Sequence, residues 1–327
     1  MDWTYILCTA ALLVAFAAWA GEAPAAPAGK RVPVVLDTDI GDDIDDTWAL
    51  TMILKSPQLD LKLVTTTYGK AEYRAKIVAK LLTLAKRTDV AVGLGAGGRT
   101  GNGGQQEWVK DYDLKSYAGK VHEDGVQALI DLLTAAPEPL TIISIGPTNT
   151  LAAALEKQPA IAAKGIYVGM QGSVRKGYDG NKTPCPEWNV KASIPASQKT
   201  LLAPWKQCVI TPLDTCGLVR LDGQRFQTLC DSNDELVKAL LENYRMWAKK
   251  KQVSELKGSS VLFDTVAVYL AYPEAKPLLE QEDLNITVTK DGMTAIDAAG
   301  VKMSVATAWK DLNAYRDLLV KVLTSSK

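Results

Sequence analysis

Short apolar runs alternate with amphipathic segments along most of the chain. The runs are rich in β-branched residues, and they predict strands at PVVLDTD, LKLVTTTYG, DVAVGLG, LTIISIG and GIYVGM. Between and after them, apolar residues recur at helical spacing. This spacing predicts helices at Asp45 to Lys55, AEYRAKIVAKLLTLAKR, DGVQALIDLLTAA, TNTLAAALEKQ, DELVKALLENYRMWAKKK and DLNAYRDLLVKVL.

The predicted strands are apolar almost throughout, which is typical of a sheet buried on both faces. We therefore expect one α/β domain whose mostly parallel central sheet is covered by helices on both faces. In such folds, ligands bind beyond the carboxyl ends of the strands.

The N-terminal end has a different pattern. YILCTAALLVAFAAWA is a short apolar run that ends in Ala-Trp-Ala, which predicts a secretory signal peptide at residues 1–20. Residues 21–31 then form a flexible lead-in, and residues 32–327 form the folded domain. MDWTY lacks the usual Lys or Arg, but about 15 apolar residues are few for a membrane anchor. We expect a periplasmic or secreted protein that has no membrane association after cleavage.

Composition narrows the possible partners and metals. The chain has 37 basic and 37 acidic residues and no basic stripe, so nucleic acid is not an expected partner. One histidine and no C-x-x-C pair argue against a zinc site. After removal of Cys8, four cysteines remain as buried thiols or with one incidental disulfide, at positions 185, 208, 216 and 230.

Negative charge is concentrated at the end of the first predicted strand. VVLDTDIGDDIDDTWAL, residues 34–50, contains six aspartates, at positions 37, 39, 42, 43, 45 and 46. Crowded carboxylates repel one another and resist burial, so this cluster calls for a cation or a chemical role. Ile40 and Ile44 alternate with the acids, which argues against a fully solvated loop.

Three kinds of chemistry fit such a cluster unequally. An EF-hand loop counted from Asp37 would need a bidentate Glu at its twelfth position, where Trp48 stands. A strand followed by D-x-D also opens Mg²⁺-dependent phosphatases whose first Asp is the nucleophile. The third possibility is a calcium site, because Ca²⁺ accepts about six to eight oxygen ligands in flexible geometry. The residues alone leave the last two interpretations open.

The acidic stretch and six later motifs resemble the inosine-uridine-preferring nucleoside hydrolase family. DTDIG followed by DD corresponds to the family's D-x-D-P-G-x-D-D, with Ile for Pro and two extra residues. The later motifs are LVTTTYG, ISIGPTNTLAAAL, GNKTPCPEWNV, PLDTCGLV, FDTVAVYLAYP and DGMTAID. The resemblance implies a Rossmann-like core and hydrolysis of the N-glycosidic bond of ribonucleosides, as in purine salvage, releasing ribose and free base. It also implies a homodimer or homotetramer.

The resemblance further implies a role for each matching residue. Ca²⁺ would be held by the carboxylates of Asp39, Asp46 and Asp264 and by the main-chain carbonyl of Ile145. Asp39 would also be the catalytic base that activates the attacking water. The substrate's ribose would be bound by Asp45, Asn181, Glu187 and Asn189. Dense negative charge suits this reaction, because the ribosyl group becomes positive as the bond breaks.

Two residues depart from the family's pattern. Phe263 stands where many members have a histidine that protonates the leaving base, and Lys70 stands where many have an asparagine near the sugar. In purine-preferring members of the family, aromatic rings sandwich the base and raise the basicity of its ring nitrogen, so the resemblance implies that a purine can leave without a protein acid. We therefore expect a preference for purine nucleosides. A non-catalytic nucleoside- or sugar-binding protein and a hydrolase of an atypical riboside, whose leaving group needs no protonation, are the alternatives.

Stacking requires an aromatic residue near the site. Trp108, in GNGGQQEWVKDY, is the first candidate, and Trp188, Tyr178 and Trp247 follow it. His122 is a candidate polar contact to the sugar or base, with a solvent-facing position as the alternative.

Overall fold

A ten-stranded sheet forms the centre of the part of the chain that this computed structural model describes, residues 31–274 and 276–325. Its strands are β1 Val32–Thr38, β2 Leu59–Thr66, β3 Ala91–Gly93, β4 Val121–His122, β5 Leu140–Ser144, β6 Gly165–Met170, β7 Gln207–Thr211, β8 Leu279–Val288, β9 Thr294–Ile296 and β10 Val301–Trp309. The proposed signal peptide and the lead-in up to Lys30 lie outside the described residues.

Helices connect most of the strands. The α-helices are α1 Asp45–Lys55, α2 Ala71–Leu84, α3 Gln106–Val109, α4 Gly125–Ala135, α5 Asn149–Lys157, α6 Trp188–Lys191, α7 Ile194–Leu201, α8 Gly223–Cys230, α9 Glu235–Trp247, α10 Thr265–Leu270 and α11 Leu312–Thr324. Short 3₁₀ turns lie at Leu114–Ser116, Pro159–Lys164, Tyr178–Gly180, Cys216–Leu218 and Val253–Glu255. The predicted strands and helices are all present, with ends shifted by a few residues.

The carboxyl end of β1 lies where the order of strand addition reverses from one side of the sheet to the other. The order is β4-β3-β2-β1-β5-β6-β7-β10-β8-β9, and the pairs from β4 to β10 are parallel. From β1 the chain builds outward through β2 to β4 and then returns to β5 on the other side. A crevice opens at such a point, beyond the carboxyl ends of the two diverging strands.

Side chains of the sheet alternate between two apolar cores. Val34 and Leu36 of β1 belong to one core and Val35 to the other. The first core includes residues of α1, α2, α9, α10 and α11, and the second includes residues of α4, α5 and α7. This arrangement confirms an α/β domain with a mostly parallel sheet covered on both faces.

The C-terminal part departs from the predicted pattern of parallel strands and helices. β8 pairs antiparallel with both β10 and β9 at one edge of the sheet. The strand LEQEDLNITV has mostly exposed or half-buried side chains, so it lacks the continuous apolar run by which the inner strands were predicted.

Two further features concern the chain as a whole. Within the described ranges, no helix combines the length and apolarity needed to cross a bilayer. Cys185, Cys208, Cys216 and Cys230 are all free thiols, so no disulfide joins them.

Candidate active site

Four acidic residues are buried where β1 leads into α1. Asp37, Asp39, Asp45 and Asp46 are each at most 8% exposed. Ile40, Ile44 and Trp48 are fully or almost fully buried between and after them, and they anchor this segment in the core. Asp45 and Asp46 occupy the first turn of α1, where the helix dipole favours negative charge.

Asp264 joins these acids from the last third of the chain. It is 2% exposed and precedes the first residue of α10, a helix that packs against α1. Oxygen atoms of Asp45, Asp46 and Asp264 all lie within 4.8 Å of one another. Three carboxyl groups from two distant segments therefore share one centre.

This centre opens into what we call the acidic cavity. Its lining residues are Asp39, Asp42, Asp43, Asp45, Asp46, Ile145, Met170, Tyr178, Glu187, Trp188, Asn189, Phe263 and Asp264. The cavity lies at the carboxyl ends of β1 and β5, where the strand order switches. Of the residues expected at the site, it brings together Asp39, Asp45, Asp46, Ile145, Glu187, Asn189 and Asp264.

Burial makes the carboxyl groups of the cavity weaker acids than exposed carboxyl groups. It raises the pKa of Asp39 to about 6 and the pKa values of Asp45 and Glu187 to about 7. Burial, together with the charges of neighbouring aspartates, also raises the pKa values of Asp46 and Asp264 well above their usual range. Carboxyl oxygens of Asp45 and Asp264 lie within 4.8 Å of each other, so the two groups repel when both are ionised.

Two carboxyl groups in contact require a proton or a cation between them. The donors that converge here are oxygens only, and Ca²⁺ and other hard divalent cations prefer such ligands. The residues therefore fit a divalent cation, whose charge would let the carboxyls ionise together.

Arg74 stabilises the acidic segment through hydrogen bonds and an ion pair. Its guanidinium is fully buried and donates hydrogen bonds to the main-chain carbonyls of Asp39 and Ile40, the latter at 2.9 Å. It also pairs with Asp42 at 3.0 Å, and Lys70 pairs with the other oxygen of Asp42 at 2.6 Å. Asp42, in the stretch that contains the two extra residues, is thus held by two cations.

Arg74 was not among the residues predicted for the site, although the sequence contains a signal for it. Arg74 lies three, four and seven residues before Ile77, Val78 and Leu81, so it falls on the apolar stripe of α2. A charged residue on such a stripe is expected to be buried and paired.

Glu187 and Asn189 are fixed by main-chain hydrogen bonds. Glu187 caps α6 and accepts hydrogen bonds from the main-chain N–H groups of Asn189 at 2.7 Å and Gly172 at 2.9 Å. The Asn189 amide donates to the carbonyls of Ile145 at 3.2 Å and Met170 at 3.1 Å. These contacts position both side chains in the wall of the cavity.

Three expected site residues lie elsewhere. Asn181 is exposed and accepts a hydrogen bond from the main-chain N–H of Thr183, so it does not line the cavity. His122 lies in β4, at the edge of the sheet and three strands from β1. Trp108 is only 5% exposed, because α3 packs against α2 and α9, and Lys80 lies over its ring at 4.2 Å. The structure therefore does not bring these three residues to the acidic cavity.

The aromatic residues at the cavity are Tyr178, Trp188 and Phe263, which we call the aromatic wall. Tyr178 is 40% exposed, Trp188 is 53% exposed and Phe263 is half-buried. The rings of Tyr178 and Phe263 meet edge to face with centroids 6.1 Å apart. Trp247, also considered for stacking, instead donates to the main-chain carbonyl of Asp42 at 2.8 Å.

Comparison with known proteins gives consistent matches. The family model of inosine-uridine preferring nucleoside hydrolases matches residues 34–317. A pyrimidine-specific ribonucleoside hydrolase of Salmonella newport is 27% identical over 81% of this chain and 88% of that protein. A non-specific ribonucleoside hydrolase of Klebsiella pneumoniae is 28% identical over 66% of this chain and 73% of that protein.

Solved structures share the fold. A plant nucleoside hydrolase superposes with a TM-score of 0.75 and 21% identity, over 90% of this chain and 99% of that chain. An inosine-guanosine nucleoside hydrolase superposes with a TM-score of 0.71 and 19% identity, over 91% of this chain and 100% of that chain.

Proposed function

The chain belongs to the inosine-uridine preferring nucleoside hydrolase family, and we propose that it hydrolyses the N-glycosidic bond of ribonucleosides with the help of Ca²⁺. The products are ribose and the free base. The observation that carries this proposal is the convergence of Asp45, Asp46 and Asp264 in one buried centre.

In the proposed site, the cation would be held by Asp39, Asp46, Asp264 and the main-chain carbonyl of Ile145. The tightest group of carboxyls contains Asp45 rather than Asp39, so Asp45 is a further possible ligand. When bound, such a cation lowers the pKa of a coordinated water and binds vicinal hydroxyl groups.

The protein's own groups carry the remaining steps. Asp39 accepts a proton from the attacking water, since its carboxylate lines the cavity beside the proposed cation. Asp45, Glu187 and Asn189 orient the ribose by hydrogen bonds to its hydroxyl groups. The surrounding carboxylates stabilise the positive charge that develops on the sugar as the bond to the base breaks.

A preference for purine nucleosides is part of the proposal. Phe263 offers no proton, and the aromatic wall provides ring faces on which a base can stack. Purines can accept a proton from solvent at a ring nitrogen, whereas pyrimidine bases need stronger assistance to leave. The relatives described above include pyrimidine-specific and non-specific enzymes, so a panel of both base classes is needed.

The direct test is ribose release by residues 21–327 after removal of metal. We expect activity on inosine or guanosine to return when Ca²⁺ is added, and Asp39→Asn to abolish it. Asp131→Asn is a matched control, because Asp131 is an exposed acid of α4 outside the cavity. If inosine, guanosine, uridine and cytidine all fail to release ribose from the calcium-loaded protein, the proposed activity is wrong.

A second candidate function is nucleoside binding without turnover. It is favoured by one observation, the phenylalanine at position 263 in the wall of the cavity. Titration calorimetry that shows micromolar binding of a nucleoside, without hydrolysis over hours, would support this alternative.

We also propose that the protein acts in the periplasm or outside the cell. The apolar run at residues 5–20 supports this location. When the full chain is expressed in a secreting host, the mature protein should begin at Gly21 by mass spectrometry. A product that retains Met1 would contradict the proposal.

A further inference from the structure

Apart from its seven carboxyl groups, the lining of the acidic cavity contains no ordinary proton donor. The aromatic wall and Met170 provide one acidic hydrogen, on the hydroxyl of Tyr178. Burial raises the pKa of the Tyr178 hydroxyl above its usual value, and this effect outweighs the hydrogen bond accepted from the main-chain N–H of Trp188 at 2.9 Å, which lowers the pKa. Tyr178 is therefore a poor acid for a leaving group.

Negative charge exceeds positive charge around the same cavity. Seven carboxyl groups line it, at positions 39, 42, 43, 45, 46, 187 and 264. The basic side chains paired with them, Lys70 and Arg74, both bind Asp42. Together with one divalent cation they would offset four of the seven formal charges, so the site retains an excess of negative charge.

Aromatic faces reinforce this preference for positive charge. The faces of tryptophan, tyrosine and phenylalanine rings attract cations through their quadrupoles. Tyr178 and Trp188 are the most exposed members of the aromatic wall. A flat, positively charged base would gain both stacking with these rings and attraction to the carboxylates.

A base that is already a cation also removes the need for a proton donor. When the C1′–N bond of an N-ribosylated pyridinium breaks, the electron pair stays on nitrogen and a neutral pyridine leaves. Water adds its hydroxyl to C1′, and its proton goes to Asp39 and then to solvent. A neutral purine or pyrimidine would instead leave as an anion unless it were protonated.

From these observations we infer that the preferred substrates are ribosides whose base carries a permanent positive charge at the glycosidic nitrogen, such as N-ribosylated pyridiniums. This inference rests on the proposed function and names its substrate class.

The test compares kcat/KM of the calcium-loaded protein for three ribosides. Nicotinamide riboside is cationic, nicotinic acid riboside has the same pyridinium ring with a carboxylate in place of the carboxamide, and inosine has a neutral base. We expect kcat/KM for nicotinamide riboside to exceed that for inosine at least about tenfold, since a proton donor contributes about 10²–10⁴ to such reactions. It should also exceed that for nicotinic acid riboside several-fold, because of the carboxylate's charge.

The outcomes separate this inference from the proposed function. Ribose release from inosine at a kcat/KM equal to or above that of nicotinamide riboside overturns the inference and leaves the proposed function intact. Equal kcat/KM values for nicotinamide riboside and nicotinic acid riboside would show that the negative charge of the site does not select for a positively charged base. No release from any riboside defeats both.

Variants test whether proton donation is what the site lacks. Phe263→His should raise the ratio of inosine to nicotinamide riboside hydrolysis at least about tenfold, by placing an acid in the aromatic wall. Phe263→Leu is the matched control and should not raise this ratio. Asp43 is an exposed carboxyl of the lining, and unlike Asp42 it is not paired with Lys70 or Arg74. Asp43→Asn therefore tests whether Asp43 protonates the leaving base. If that variant lowers only inosine hydrolysis, the inference is wrong.

Discussion

Asp45 and Asp264 are both buried, and their carboxyl oxygens lie within 4.8 Å of each other. Without a cation, such a pair keeps a proton or bears the cost of repulsion in a buried environment. The proposed metal ligands are therefore expected to destabilise the metal-free protein. Substitutions at these positions separate stability from metal binding.

Asp264→Asn should stabilise the metal-free protein at pH 8 and abolish its stabilisation by Ca²⁺. Removal of one buried charge should raise the free energy of unfolding by about 1–3 kcal/mol, or the melting temperature by about 2–5 °C. Differential scanning fluorimetry with EDTA and with Ca²⁺ measures both effects.

Asp42→Asn is the control for this prediction. Asp42 is paired with Lys70 and with the fully buried Arg74, so its removal leaves a buried cation without its anionic partner. The melting temperature of the metal-free protein should fall. If Asp264→Asn also lowers it, the buried acids do not repel one another as described.

Single residues were predictable to different degrees. Asp39, Asp46, Asp264 and Glu187 follow from motif resemblance, and all line one cavity. Trp108 was not predictable from its motif, because α3 turns its ring into the core, a tertiary effect that local sequence does not encode.

Among the elements, the segment from β1 to α1 is held by close main-chain approaches. The glycine-rich loop packs on it: a Cβ atom on Gly103 would lie 2.5 Å from a carboxylate oxygen of Asp42. On the other side, a Cβ atom on Gly146 would lie 2.6 Å from a carboxylate oxygen of Asp39 and 2.8 Å from its main-chain nitrogen. Glycine after β5 thus leaves space for the proposed catalytic base.

Gly146→Ala should therefore displace Asp39 and lower kcat/KM for ribose release about tenfold or more, because catalysis depends on close positioning. Gly98→Ala is the matched control, since a Cβ atom there would have no neighbour within 4 Å. We expect its kcat/KM to stay within about twofold of the wild type. Equal activities of the two variants would show that the contact between Gly146 and Asp39 is unimportant.

Elements were predictable where burial on both faces leaves a continuous apolar run. β1, β5 and β6 are of this kind, and their predicted positions are confirmed. β8 and β10 were not predicted, because these antiparallel strands near the edge of the sheet have many partly exposed side chains and therefore a weaker pattern, which depends on the pairing partner.

For the whole molecule, a net charge of zero conceals a strong local excess of acid. Burial raises the pKa values of Asp39, Asp45 and Glu187 above those of an unfolded chain. A raised carboxyl pKa means that the folded state binds more protons than the unfolded state between pH 4 and about 7. The contribution of these groups to the free energy of unfolding is therefore fully present below pH 4 and is lost as the pH rises through this range.

The melting temperature of the metal-free protein should therefore fall by about 5 °C or more between pH 5.5 and pH 8. Saturating Ca²⁺ should remove most of this decrease, because the cation replaces the protons. Thermal unfolding at several pH values with EDTA and with Ca²⁺ checks this. A flat or rising melting temperature in EDTA would contradict the pKa directions.

Two further predictions from the sequence concern the whole molecule and stay predictions. They are export and assembly as a homodimer or homotetramer. Assembly depends on surface complementarity between copies, which no local motif specifies. Light scattering on the purified protein measures it.

Anomalous diffraction from crystals grown with Ca²⁺ locates the cation directly. We predict one calcium peak in the acidic cavity, bound by oxygens of Asp39, Asp46, Asp264 and Ile145. A cavity without a peak at saturating Ca²⁺, or a peak that Asp264 does not contact, would contradict the convergence of these acids on one cation.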